Sequence, residues 1–135
     1  MRKLLNSVRK RPLNLVLVIV VIGLYMTNNI IIKPNTDGLI HIFFVSYFND
    51  LLCPYFFLGY ANMLLITCNK EMDKLFIILL VMGIAGAVWE LGAPYLKEGS
   101  VTDIGDYACY MLGAIGYWLL LKKVKNGEKA DDVGD

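Results

Sequence analysis

LNLVLVIVVIGLYMTNNIII, residues 13–32, carries no charge, and Asn14, Asn28 and Asn29 are its main polar members. About 20 residues in a helix cross the roughly 30 Å of hydrocarbon in a bilayer, so this stretch predicts a membrane span. Arg2, Lys3, Arg9, Lys10 and Arg11 precede it, as they would precede a signal peptide. No small-residue cleavage site follows, and the run exceeds a signal core, so a retained anchor is the reading adopted.

Three further apolar runs lie downstream, at residues 39–67, 75–91 and 104–121. The chain is 57% hydrophobic and only 19% charged, with a mean hydropathy of +0.56. A soluble domain of this size carries more charge. The runs are also too long and too evenly apolar for the alternating strands of a membrane barrel. The expectation is all-α: a polytopic four-transmembrane-helix bundle over residues 13–121, with a basic segment at 1–12 and a solvated tail at 122–135. The 39–67 run is too long for an upright span. It predicts either a tilted helix kinked at Pro54 or first turns that lie in the interface.

Orientation follows from the cations. Of 13 Lys and Arg residues, all but Lys33 and Lys97 fall in the N-terminal segment, the 68–74 joint or the tail. The positive-inside rule then places both termini and that joint in the cytoplasm. Cys53 and Cys109 lie within apolar runs and Cys68 at an edge, with no zinc-like spacing to each other or to the single His. They read as small apolar filler. No repeat, phosphate loop or metalloprotease motif is present, and nothing predicts a nucleic-acid partner.

Acids inside the apolar runs carry the functional argument. A carboxylate near the bilayer centre costs about 2.5–3.5 kcal/mol on insertion scales, so such residues face a bundle interior and find partners. Asp50 lies about 12–16 Å along a helix begun near His41. Pro54 lacks the N–H that would bond the Asp50 carbonyl, adding a second polar feature there, and Asn49 and Tyr47 enlarge it. The bland alternative is a hydrogen-bonded interhelical contact with Asp50 protonated. Glu90, about 22 Å along the third helix, either joins that site or snorkels to water beside an interfacial Trp89. Ser100 and Asp103 have capping-box spacing and read as a helix cap first and a site second. Asp106 shares a helical face with Tyr110 and Gly113. Gly83, Gly86, Gly105, Gly113 and Gly116 predict close helix packing. With four carboxyls in the outer half, at least one is expected to be protonated, hydrogen-bonded or cation-bound. His41 lies in the same half and ranks below the acids.

Tyr47-Phe48-Asn49-Asp50-Leu51, Trp89-Glu90-Leu91 and Gly99-Ser100-Val101-Thr102-Asp103-Ile104-Gly105-Asp106, with Tyr110 and Gly113, resemble the VanZ-like family of bacterial membrane proteins, especially its small relatives. The resemblance covers roughly residues 41–121. The chain departs from the family pattern at Gly92 and Ala93, where a Gln is common, and at Val101-Thr102, where an Arg or aromatic residue is common. The resemblance implies a four- or five-helix fold in the cell envelope, in the bacterial plasma (inner) membrane, and brings no biochemical mechanism with it.

Two function classes follow. In the preferred one, the protein binds or processes a lipid or lipid-linked envelope molecule from the outer leaflet. Asp50, Glu90 and Asp106 would be acid/base groups or ligands of a divalent cation, with Asn49, Tyr47, Tyr110 and His41 binding substrate. In the other, the protein is a subunit of an oligomeric or heteromeric assembly, or a small ion- or proton-conducting element. The acids would there be a polar lock or a relay. A lateral cleft distinguishes the first class, and a continuous polar track toward the cytoplasmic side distinguishes a conductor.

Overall fold

The computed structural model describes residues 11–96 and 104–132, and among them the side chains outside 93–96 and 128–132. Ser100, Asp103 and Lys97 lie outside the described residues. Every regular element described is helical, and four helices are long and apolar enough to cross a membrane. The first, α1, runs Pro12–Asn35 and the second, α2, Gly38–Thr67. The third, α3, is Leu75–Leu96, and the fourth, α4, is Ile104–Asp132.

Pro12 opens α1, where its fixed φ suits the first helical turn and its missing N–H costs nothing. The connection from α1 to α2 is short: Thr36 is extended, and Gly38 takes φ +66, which glycine adopts freely. At the opposite end α2 closes in a Schellman arrangement. Lys70 N donates to the Leu65 carbonyl at 3.0 Å and Asn69 N to the Ile66 carbonyl at 3.0 Å. Asn69 supplies the left-handed residue, with φ +56. The long second run is one helical rod. It contains a π turn at Phe43–Tyr47, and Pro54 sits inside the helix. The fourth helix continues past Leu121, the expected end of the last span, through Asp132.

The helices alternate in direction. One end of the bundle carries Gly38, and the other carries Glu71. α2 and α4 form the central pair, with α1 against α2 and α3 against α4. Small residues set the spacing. A Cβ on Gly113 would lie 2.5 Å from the Leu51 carbonyl oxygen and 2.8 Å from Pro54 Cγ, so α4 rides directly on the proline turn of α2. Gly83, Gly86 and Gly116 likewise meet Tyr107, Tyr110 and Tyr55. Gly59, not singled out in the sequence, brings α2 against the α1 backbone, 3.3 Å from the Asn14 carbonyl oxygen.

Packing is inside out relative to a soluble protein. Leu58, Ile78, Tyr117 and Leu121 are fully buried, yet Ile19, Val88, Leu112 and many other large apolar side chains are more than half exposed. A soluble monomer does not tolerate so much exposed apolar surface, whereas lipid tails do. The buried side chains include polar ones. At the Glu71 end, Tyr117 Oη donates to Asn14 Oδ1 at 2.9 Å and accepts from Asn62 Nδ2 at 2.7 Å. Asn62 also grips the connection, donating to the Met72 carbonyl at 3.0 Å and accepting from Met72 N at 2.7 Å. One hydroxyl thus ties α1, α2 and the 68–74 connection to α4. Outside this knot, Glu71 takes Arg11 and Lys125 at 2.9 Å each, and Lys125 also reaches Asp73 at 2.8 Å.

Tyr117→Phe deletes a donor and an acceptor among fully buried amides. It is expected to lower unfolding stability in bicelles by about 1–2 kcal/mol, readable by denaturant titration. The hydrogen bond from Lys125 holds the Asp73 carboxyl below its ordinary range. Its contribution is therefore complete above the unfolded carboxylate pKa of about 4 and is lost as pH falls further. A melt series between pH 6 and pH 3 should show Asp73→Asn converging on the wild type at the acid end.

Candidate functional site

Three side chains from three helices meet toward the Gly38 end. Asp50 is about 18 Å along α2 from Gly38, Glu90 about 22 Å along α3 from Leu75, and Tyr110 about 9 Å into α4. The antiparallel order brings these positions to one level. Tyr110 Oη lies 3.1 Å from Asp50 Oδ1 and 3.3 Å from Glu90 Oε1. Gly86, one turn before Glu90, makes room for the ring, because a Cβ there would sit 3.0 Å from Tyr110 Cδ2.

Glu90 does not snorkel. It is 8% exposed while its neighbour Trp89 is 59% exposed, so α3 turns the acid inward and the indole outward. A hydroxyl has one hydrogen and cannot donate to two carboxylates at once. Both contacts are satisfied when one of the two carboxyls carries a proton, and such a pair also avoids placing two negative charges together. That arrangement holds two carboxyls on either side of one phenol.

A cavity of about 500 Å³ opens beside this group, between α1 and α3, with α2 and α4 behind it. Asp50 and Tyr110 line it. Its polarity is graded. Asn49, Asp50, Tyr25 and Trp89 lie toward the Gly38 end, while Val21, Phe57 and Met82 lie toward the middle of the bundle. Asn49 is positioned from α1: Asn28 Nδ2 donates to Asn49 Oδ1 and to the Phe44 carbonyl, each at 2.9 Å. Asn28 opens one π turn and Phe44 lies in the other, a local geometry that recurs at functional sites. Asn28 is fully buried, and its own Oδ1 has no partner.

The other expected site residues fall elsewhere. Asp106 is half-buried one turn before Tyr110, and the hydrogen bonds joining Asp50, Tyr110 and Glu90 do not include it. Sharing a helical face with Tyr110 places Asp106 further toward the helix end. Among the described residues no three His, Cys, Asp or Glu side chains are grouped to hold a metal ion. For the divalent cation expected at Asp50, Glu90 and Asp106, the described residues thus supply no such group. Tyr47 is half-buried in the π turn and does not line the cavity. His41 stays at the α1–α2 connection, its Nδ1 3.4 Å from Thr36 Oγ1. Cys53, expected as buried filler, is exposed on the cavity wall, because the gap between α1 and α3 uncovers that face of α2.

No family model, curated protein or solved structure matches the chain.

Tyr110→Phe leaves two carboxyls facing each other without their bridge, with an expected loss of about 1–3 kcal/mol. Asp50→Asn keeps an acceptor for the hydroxyl and removes a charge, so its stability should stay within about 1 kcal/mol of wild type. Equilibrium unfolding of both variants in bicelles checks the pair.

Proposed function

We propose that this chain is a VanZ-like multi-pass protein of the bacterial plasma membrane, with both termini cytoplasmic, whose cavity binds or processes a lipid or lipid-linked envelope molecule. In that orientation the Gly38 end faces outward and the cavity opens sideways into the outer leaflet. The observation that carries the reading is the gradient along the cavity wall. Over about 12 Å of α2, from Asn49 to Phe57, the lining passes from amide and carboxyl to aromatic and aliphatic side chains. An outer-leaflet lipid presents the same order, head outward and chain inward.

The Asp50–Tyr110–Glu90 group stands at the head-group level. A carboxyl and a carboxylate sharing one proton suit a proton-transfer step, with Asp50 facing the cavity and Glu90 behind Tyr110. A conducting role is less well supported. Between Tyr110 and Tyr117, about 10 Å apart on α4, the core holds fully buried Leu58 and Ala114, and among the described residues the polar atom found at that level is the lone Tyr55 hydroxyl against Gly116 rather than a chain of carboxyls or amides.

The test is photo-crosslinking in envelope membranes from a benzophenone amino acid replacing Phe57, on the cavity wall, or Ile84, exposed on α3 outside it. The Phe57 probe should capture a discrete lipid or lipid-linked species that the Ile84 probe does not. Identical captures of bulk lipid from both positions would contradict the reading.

A further inference from the structure

The chemistry of the head group can be narrowed, on the premise that the cavity takes a lipid. Among the described residues no Lys, Arg or His lines the cavity. The ionisable side chain exposed to it at the polar end is Asp50, with Glu90 held behind it through Tyr110. Among the described residues, the basic side chain near enough to influence Asp50 is Lys33, in the turn that ends α1, outside the cavity wall. A phosphate or carboxylate pushed to the level of Asp50 would meet negative charge, with no cation beside it among the described residues. A primary ammonium would meet a carboxylate acceptor, the Asn49 amide and the indole of Trp89 at the cavity rim. These are the groups that recognise an ammonium, by charge-assisted hydrogen bonds and cation–π contact.

We infer that the cavity is selective for a lipid whose head group carries a primary amine, with the ammonium at Asp50 and one acyl chain against Phe57, Val21 and Met82. Asn28 holds Asn49 in place and so acts as a positioning residue.

The experiment is native mass spectrometry of the full chain titrated with three lipids of identical acyl chains: phosphatidylethanolamine, its N-acetylated derivative and phosphatidylglycerol. Wild type should retain phosphatidylethanolamine at least about tenfold more tightly than either of the others. Asp50→Asn should erase that preference while leaving the fold intact by circular dichroism. Should Asp50→Asn misfold, the wild-type comparison of the amine with its N-acetyl form still decides. Equal retention of all three lipids, abolished by the cavity-filling Ala85→Phe, would overturn amine selection and leave the lipid cavity standing. A preference for phosphatidylglycerol would overturn it as well. If retention is indifferent to both Ala85→Phe and head group, the cavity reading itself falls with it.

Discussion

Hydrocarbon offers no hydrogen bonds, so a polar group placed within it must find its partner inside the bundle. In this protein two tyrosines on one face of α4 meet that constraint. Tyr110 and Tyr117 are seven residues apart, two helical turns, and point the same way. Each hydroxyl joins groups from two other parts of the chain: Asp50 and Glu90 at one level, Asn14 and Asn62 at the other. Gly113 and Ala114 lie between them, and there α2 comes closest. The same face of α4 therefore sets the helix spacing and satisfies the polar side chains.

The two levels differ in what surrounds them. At Tyr117 the neighbours are neutral amides, the 68–74 connection folds over the knot, and a layer of ion pairs closes it from outside. At Tyr110 the neighbours are acids, and α1 and α3 stand apart, leaving the cavity open to one side. Such closure suits a structural anchor, and such an opening suits a site. The cost of burying carboxyls is easier to understand where a ligand can reach them. The unpaired atoms Asn14 Nδ2 and Asn28 Oδ1 mark both levels as imperfectly satisfied even so.

Much of the fold was legible because membrane spans announce themselves by length and composition, and runs 13–32, 39–67, 75–91 and 104–121 each correspond to a helix. The helix ends were less legible. A helix leaving the bilayer can simply continue, as α4 does to Asp132, and apolar content does not mark that stop. Asp50 and Glu90 stood out because acids are costly in lipid, and Tyr110 because it shares a face with Asp106. Asp106 shares that same face, but a shared face does not fix depth: it sits one turn nearer the helix end than Tyr110, and the hydrogen bonds joining Asp50, Tyr110 and Glu90 do not include it. Asn14, Asn28 and Tyr117 went unassigned, since neutral polar residues are common in spans and nothing in their spacing pairs residues 14 and 117. Cys53 looked buried because an apolar run hides which of its faces lies beside a gap.

The account turns on one proton held between two carboxyls by Tyr110. Infrared spectroscopy of the protein in lipid bilayers at neutral pH, in water and in heavy water, observes this directly. A protonated-carboxyl carbonyl band should be present, shift on deuteration, disappear in Glu90→Gln or Asp50→Asn, and move in Tyr110→Phe. Absence of that band in the wild type, or a band that none of the three substitutions changes, would contradict the shared-proton site.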